Sequence, residues 1–214
     1  MTTLLRKLQR GLTKGYSYLR GGVVDESTYS THGISRTVFW YEEDNNRMGD
    51  HIPFGFFLMN KKASANLPED AIDYIFLHEV GHSKSNLLWT ILFWPLAFLG
   101  LGLFAGGIAT FSVGVYIAIQ SSATVLTSVL FLGIITVVCA VAAALLPAVL
   151  WIDEGFADLY AISILGREEY LRRRELAMDE GNWESGRLRS ILYRLRYPPQ
   201  SLLLWVAVKR GIGE

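Results

Sequence analysis

The sequence lacks charge over a long internal stretch. From Ser85 to Ile152, 68 consecutive residues contain no Asp, Glu, Lys, Arg or His. A soluble core seldom contains an uncharged run several times longer than an ordinary helix. Outside this stretch, charged residues are about as frequent as in ordinary globular proteins. The sequence therefore predicts a soluble body interrupted by a membrane insert, and a wholly water-soluble protein is not expected.

The lack of a basic excess and the low cysteine content each exclude a class of function. The 20 basic and 20 acidic side chains balance to a net charge of zero, and neither half of the chain has the basic excess of a nucleic-acid-binding protein. The single cysteine, Cys139, lies inside the uncharged stretch. It cannot form an intramolecular disulfide or a cysteine-based metal cluster. We therefore expect no nucleic-acid partner and no metal site built on a cysteine cluster.

The uncharged stretch is long enough for two membrane crossings, because a transmembrane helix needs about 20 apolar residues. We predict one span from Leu87 to about Phe111 and a second from about Val125 to Trp151. The more polar Ser112–Thr124 is the predicted turn. Basic residues flank the insert and are absent from the turn, so the positive-inside rule applies. It predicts an integral, two-pass membrane protein with both termini and both soluble segments in the cytoplasm.

The segment before the insert carries several local signals. Residues 1–20 hold five basic residues, no acid and leucines at helical spacing, which predicts a basic amphipathic helix. It either lies on an anionic membrane surface or packs on the soluble body. Gly21–Gly33 is a predicted loop, Ile34–Tyr41 a strand and Glu42–Asp50 a polar turn. Phe54–Asn60 is a second predicted strand, and the proline before it indicates an edge position.

A metal-binding pattern ends the next predicted helix, which begins near residue 66. Residues 78–82 read His-Glu-Val-Gly-His. Positions four apart share one face of a helix, so the imidazoles of His78 and His82 can converge on one zinc ion. Glu79 lies about 100° around the helix from His78 and can reach a water at the metal without being a ligand. The alternative is that these histidines only satisfy local hydrogen bonds.

A candidate third ligand follows the second predicted span, where residues 153–158 read Asp-Glu-Gly-Phe-Ala-Asp. Taken alone, such an acidic pair is more often the solvated start of a helix, and its location favours the metal site. Glu154 can complete a His-His-Glu site with one zinc per chain. Asp158, four residues on, can accept the outward N–H of a ligating imidazole and fix its tautomer. Two crossings would return Glu154 to the side of the membrane that holds the histidines. The zinc prediction and the hairpin prediction therefore support each other.

The order H-E-x-x-H, transmembrane hairpin and E-x-x-A-D resembles the membrane gluzincins of the HtpX heat-shock protease and CAAX prenyl protease family. LPEDAIDYIFLHEVGH is similar to their active-site helix, and DEGFADLYA is similar to their third-ligand helix. The similarity covers about Phe54 to Ile164. It implies that His78, His82 and Glu154 are zinc ligands, that Glu79 is the general base and that Asp158 orients a ligand.

The resemblance also implies a fold class and a domain arrangement. We expect a mainly α protein with a small β-sheet, in which a zincin-like metalloprotease body is interrupted by a two-helix transmembrane hairpin. The hairpin would occupy 87–151. Residues 21–86, with the active-site helix, and 152–214, with the third-ligand helix, would form the two parts of the body.

One element of the family pattern differs in this chain. Family members carry a downstream His-Pro element, and the nearest equivalent here is Arg-Tyr-Pro-Pro at 196–199. The residue that stabilises the oxyanion is therefore left open. The candidates are Tyr193, Arg194, Tyr197 and His51.

The expected function is zinc-dependent hydrolysis of peptide bonds at the cytoplasmic membrane surface. Zinc lowers the pKa of a water towards 7, Glu79 takes its proton, and the same carboxyl later protonates the leaving amine. An extended peptide or membrane-protein substrate is expected to pair with the edge strand near Phe54–Asn60. The lipid bilayer is the other expected partner, and the sequence leaves the physiological substrate and the oligomeric state open.

Two alternatives to this function remain. A site-2-type intramembrane protease also uses H-E-x-x-H, but there the motif lies within a membrane span. Here Glu69, Asp70 and Asp73 precede the motif on an amphipathic helix. The other alternative is a non-catalytic membrane scaffold with a structural metal or none. Metal analysis separates the scaffold from the enzyme.

Overall fold

The computed structural model describes residues 2–44, 48–51, 56–84, 87–120, 125–180 and 187–214. The chain divides into two compact units, Met1–Ser85 with Asp153–Glu214 and Asn86–Ile152. The first unit is therefore built from two separate lengths of chain. It contains a four-stranded sheet and most of the helices.

The protein is mainly helical, with one small sheet. The strands are β1 (Val23–Thr31), β2 (Ile34–Tyr41), β3 (Gly49–His51) and β4 (Phe57–Asn60). The helices are α1 (Thr2–Ser17), α2 (Lys61–Ser64), α3 (Glu69–Lys84), α4 (Leu87–Gln120), α5 (Val125–Leu165), α6 (Arg167–Glu180), α7 (Arg187–Arg196) and α8 (Gln200–Lys209).

The sheet has the strand order β1-β2-β4-β3. β1 and β2 form an antiparallel hairpin whose two-residue turn, His32 and Gly33, has positive φ at both positions. That is the backbone of a type I′ turn, which matches the twist of the strands it joins. β4 runs parallel to β2 and antiparallel to β3. The outer strands of this sheet are therefore β1 and β3.

The predicted strand Ile34–Tyr41 is confirmed as β2, but three neighbouring predictions are wrong in part. Gly21–Gly33 is not a loop, because β1 occupies most of it and pairs with β2 along its length. The predicted turn Glu42–Asp50 ends in strand β3. Of the predicted strand Phe54–Asn60, Phe57–Asn60 is strand and Phe54 and Gly55 lie outside the described residues. β4 is an inner strand and not an edge, because β3 covers its outer side.

Apolar side chains pack on both faces of the sheet. On one face, Val38, Phe57 and Met59 belong to the main core, which also contains buried residues of α3. On the other face, Phe39, Tyr41 and Leu58 form a smaller cluster with Tyr16 of α1. The period-2 alternation of strand side chains produces this division. Helix α3 therefore lies against one face of the sheet and α1 against the other.

Ion pairs connect α6 to α3. The guanidinium of Arg173 lies 2.9 Å from a carboxylate oxygen of Asp73 and 3.1 Å from one of Asp70. Arg172 also donates to Asp70, at 2.6 Å. These contacts join residues about a hundred positions apart in the chain. They therefore help to hold the two lengths of the first unit together.

Helix α5 approaches α3 at a point where both helices carry small residues. A Cβ placed on Gly81 would lie 2.7 Å from the Cα of Ala157, so the two backbones are almost in contact. Gly81 lies between Glu79 and His82, and Ala157 lies between Glu154 and Asp158. The small pair thus lets the two predicted metal-binding segments meet.

We expect Gly81→Ala to destabilise the protein and weaken metal binding, because the added methyl group overlaps the backbone of Ala157. Overpacking of this kind costs about 1–3 kcal/mol. The matched control is Gly155→Ala on α5, where the added Cβ would meet its nearest neighbour, Leu203, at 3.6 Å. Unfolding midpoints and zinc affinity measure both variants. Equal behaviour of the two would contradict the close approach.

The second unit contains the long apolar helix α4 and the apolar part of α5. Among the described residues, one segment, Phe98–Tyr116, is long and apolar enough to cross a membrane, and little of it is buried. α4 and α5 contact each other where Gly107 meets the side chain of Cys139. The second predicted span therefore stays a prediction.

The predicted turn at Ser112–Thr124 is wrong in its first part. Helix α4 continues through Ser112 to Gln120, and 121–124 lie outside the described residues. The hydroxyl of Ser112 donates to the carbonyl of Ile108 at 2.9 Å, so this polar side chain is satisfied within the helix. Polar residues here therefore do not end the helix.

Candidate metal centre

His78 and His82 lie one turn apart on α3, and Glu154 of α5 faces both of them. Nε2 of His78 is 3.1 Å from Oε2 of Glu154, and Nε2 of His82 is 3.6 Å from the same oxygen. All three residues are buried, and their ligand atoms lie within 4.8 Å of one another. The structure thus brings together the three predicted ligands, although 71 residues separate His82 from Glu154 in the sequence.

The spacing of these atoms fits a tetrahedral zinc ion. Zinc bonds to imidazole nitrogen and carboxylate oxygen are about 2.0–2.2 Å long, so neighbouring ligand atoms should lie roughly 3.3 Å apart. The distances of 3.1 and 3.6 Å bracket that value. Two imidazoles and one carboxylate are also a donor set of catalytic zinc sites, which keep the fourth position open. The residues present therefore fit the metal.

Each imidazole has a carboxylate behind it. Nδ1 of His78 lies 2.9 Å from Oδ1 of Asp158, and Nδ1 of His82 lies 3.2 Å from Oδ2 of Asp153. Asp158 is fixed in turn by the hydroxyl of Tyr74, which donates to it at 3.1 Å. Carboxylates in this position set the tautomer of a ligating histidine. They leave each Nε2 facing Glu154.

The two oxygens of the Glu154 carboxylate have different partners. Oε1 accepts a hydrogen bond from Nε of Arg196 at 2.8 Å, whereas Oε2 faces the two imidazoles. Arg196 thereby fixes the carboxylate and partly compensates its charge. A metal ligand held in this way loses little freedom on binding the ion.

The pKa values of His78 and His82 indicate that the centre favours positive charge. Burial alone would lower the pKa of His78, but the charge of Asp158 and hydrogen bonds with Asp158 and Glu154 raise it well above its ordinary value. Burial opposes the same shift at His82, and the nearby carboxylates of Asp153 and Glu154 raise its pKa to about 9. A divalent cation would satisfy the same carboxylates.

Glu154 and Glu79 differ in their pKa values although both are buried. Burial alone would raise the pKa of Glu154, but the hydrogen bond with His78, the nearby imidazole of His82 and the charge of Arg196 hold it well below its ordinary value. The pKa of Glu79 is raised, mainly by burial. Glu154 is therefore the carboxylate with the environment of a ligand.

We expect Asp158→Asn to reduce zinc affinity by about 10- to 100-fold, the usual cost of losing a carboxylate behind a ligating histidine. The substitution keeps the shape of the side chain and removes the charge that faces His78. Competition with a chromogenic chelator measures the affinity. Asp25→Asn, at an exposed position of β1, serves as the control. An Asp158→Asn protein with wild-type affinity would contradict this role.

Glu79 lies beside the three predicted ligands and at the wall of a cavity. Its carboxylate lies against the backbone of Gly49 in β3, so closely that a Cβ on that glycine would overlap it. The cavity is lined by residues of β3, α3, α6 and α7 together with Met48 and Tyr197, which lie outside these elements: Met48, Gly49, Tyr74, Ile75, His78, Glu79, Ala177, Met178, Tyr193, Arg196 and Tyr197. Glu79 and His78 thus line the same space.

The predicted oxyanion candidates divide into three groups. Tyr193 and Tyr197 line the cavity, and their rings stack at a centroid distance of 4.6 Å. Arg194 is not among the residues described as lining it. His51 ends β3, but its side chain lies outside the described part of the structure. Among the candidates whose side chains the structure describes, Tyr193 and Tyr197 are thus brought to the site.

Several residues at this centre were not predicted from the sequence. They are Asp153 behind His82, Tyr74 behind Asp158, Arg196 on Glu154 and Gly49 against Glu79. Asp153 and Tyr74 had a signal, since each lies within the segments that resemble the gluzincin motifs. The only sequence signal for Arg196 was its position in the Arg-Tyr-Pro-Pro segment. No sequence signal pointed to Gly49.

No protein-family model, curated protein or solved structure matches this chain. The resemblance to membrane gluzincins therefore stays a prediction from the two motifs. The geometry of the centre is independent of that resemblance, because it comes from the packing of α3, α5 and α7.

Proposed function

We propose that this protein is a zinc-dependent, membrane-bound endopeptidase of the gluzincin type. The observation that carries the proposal is the convergence of His78, His82 and Glu154, with the Glu79 carboxylate at the same cavity. Two imidazoles and a carboxylate would hold one zinc ion per chain. The cavity beside these residues would receive the part of the substrate that reacts.

A zinc ion in such a site supplies a Lewis acid and lowers the pKa of a water towards 7. Glu79 does the proton transfer in this proposal. Its carboxylate takes the proton of the attacking water and returns it to the leaving amine. Its position between the helix backbone and Gly49 restricts its rotamers, and its burial excludes bulk water from competing for the proton.

Arg196 and Tyr197 are the proposed stabilisers of negative charge on the substrate carbonyl. Both line the cavity, and the guanidinium of Arg196 lies 5.2 Å from the centre of the Tyr197 ring. Burial and the nearby charge of Glu154 raise the pKa of Tyr197 well above its ordinary value. Its hydroxyl therefore stays protonated and can donate a hydrogen bond.

Strand β3 lies beside the site and could pair with an extended peptide substrate. β3 is an outer strand of the sheet, and its Gly49 contacts Glu79. Addition of a peptide strand to an open sheet edge is a common mode of peptide recognition. We propose β3, in place of the Phe54–Asn60 segment, as the strand that orients the peptide.

The membrane location is part of the same proposal. The apolar stretch contains Phe98–Tyr116, which is long enough to cross a bilayer, and α4 contacts α5 at Gly107 and Cys139. The chain leaves the first unit before Asn86 and rejoins it at Asp153. A two-pass arrangement accounts for that return, and the flanking basic residues favour a cytoplasmic site.

Removal and return of the metal test the proposal. Purified protein in detergent should contain about one zinc per chain and should cleave unfolded β-casein. We expect 1,10-phenanthroline to abolish the cleavage and added zinc to restore it. The non-chelating isomer 1,7-phenanthroline should have no effect, which excludes a general effect of the compound. Cleavage that persists in metal-free protein would contradict the proposal, and a stable metal-free protein without activity would favour the scaffold.

A further inference from the structure

Helix α1 has two sides that differ in their surroundings. On one side, Thr13 and Ser17 are buried, and Tyr16 packs with the cluster of Phe39, Tyr41 and Leu58. The hydroxyl of Tyr16 also donates to Oδ2 of Asp50 at 2.8 Å. This side holds α1 on the sheet. The soluble body therefore does not need the opposite side of the helix for its own packing.

The opposite side is apolar and exposed. Leu4, Leu8 and Leu12 form a stripe along the helix and are 70%, 57% and 56% exposed. Gly11 and Gly15 lie on the same side, and a Cβ built on either would have no neighbour within 4 Å. Three exposed leucines at four-residue spacing are unusual on a helix that faces water on that side. We call this stripe, together with the two glycines, the leucine face.

Positive charge borders the leucine face. Lys7 and Lys14 are exposed and lie, by helical geometry, roughly 60–80° from Leu4 around the helix. No acidic residue occurs in the first twenty positions of the chain. Both lysines lie along one edge of the leucine face, and exposed leucines beside lysines are an arrangement by which a helix lies in the surface of an anionic bilayer.

We propose that α1 binds an anionic lipid surface, with Leu4, Leu8 and Leu12 inserted among the acyl chains and Lys7 and Lys14 at the lipid phosphates. The charge pattern favours lipid over a second copy of the chain, since two such faces would bring like charges together. The proposal does not depend on peptide hydrolysis. It concerns a surface on the side of the sheet opposite to the core that contains α3.

Full-length protein in lipid nanodiscs provides the test. In a Cys139→Ala background, Gly11→Cys places an NBD fluorophore on the leucine face and keeps all three leucines. Thr28→Cys places the same label on an exposed position of β1. Nanodiscs of phosphatidylcholine alone and of phosphatidylcholine with phosphatidylglycerol are compared, each with nitroxide-labelled acyl chains. We expect strong quenching at residue 11 in the anionic nanodiscs and much weaker quenching at residue 28.

Two sets of substitutions make the test specific. Lys7→Gln and Lys14→Gln should lower the ratio of docked to undocked helix by about fivefold each, and added salt should reproduce that loss. Joint replacement of Leu4, Leu8 and Leu12 by Gln should abolish the quenching at residue 11. Circular dichroism shows whether these variants stay folded.

Three results would overturn the proposal. One is equal quenching at residues 11 and 28 in both kinds of nanodisc. Another is quenching at residue 11 that does not respond to the lysine substitutions or to phosphatidylglycerol. The third is a blue-shifted label at residue 11 that acyl-chain nitroxides do not quench, because protein would then cover the leucine face.

Discussion

Glu79→Gln should remove peptide hydrolysis and leave zinc binding intact. The amide has the size of the carboxylate but cannot take a proton from the attacking water, and loss of a general base lowers a rate by about 10²- to 10⁴-fold. The proposed ligand atoms belong to His78, His82 and Glu154, so the metal content should not change. Cleavage of casein and zinc per chain are measured on the same preparation.

The matched control for this variant is Glu69→Gln, which lies on the same helix at an exposed position of its first turn. We expect it to keep wild-type activity, because Glu69 takes no part in the centre. A fully active Glu79→Gln protein would remove Glu79 from the mechanism. With an inactive Glu79→Gln protein as the reference, comparison of the peptides that the wild type and the variant release from a membrane proteome identifies the natural substrates.

Glu154→Ala should remove both zinc binding and peptide hydrolysis. The substitution removes the oxygen that faces both imidazoles and leaves Arg196 without the carboxylate that it contacts at 2.8 Å. The loss of zinc affinity should exceed the 10- to 100-fold expected when only a residue behind a ligand is changed. Zinc content after dialysis and chelator competition measure it.

Glu175→Ala, at an exposed position of α6, is the control for Glu154→Ala and should retain zinc and activity. Circular dichroism separates loss of the metal from loss of the fold. A folded Glu154→Ala protein that keeps one tightly bound zinc would show that the third ligand is another residue. That result would not change the assignment of His78 and His82 as zinc ligands.

The geometry of α3 was predictable because it depends on local periodicity. Residues four apart share a helix face wherever the helix forms, so His78 and His82 had to be neighbours once the segment from about residue 66 through the H-E-x-x-H motif was recognised as helical. The approach of Glu154 was a weaker inference, drawn from its four-residue spacing to Asp158 and from the expected return of the chain. The contacts that hold Glu154 depend on Gly81 and Ala157, whose role only tertiary packing reveals.

The sheet and the outer contacts of the centre were less predictable, for a physical reason. β1 is rich in Ser, Thr and acidic residues because much of it is exposed, and such composition is shared with loops. The proline before β4 indicated an edge, but strand order depends on which segment pairs with which, and β3 is only three residues long. Arg196 reaches Glu154 from 42 positions away, and no local pattern encodes that contact.

X-ray absorption at the zinc edge of the purified wild-type protein tests the metal centre most directly. We expect about one zinc per chain, coordinated by two imidazole nitrogens and a carboxylate oxygen at about 2.0–2.2 Å. The imidazole signal should fall to one ring in His82→Ala protein if that protein retains metal. A wild-type protein without zinc, or a spectrum without two imidazoles, would contradict the assignment of His78, His82 and Glu154 as a zinc site.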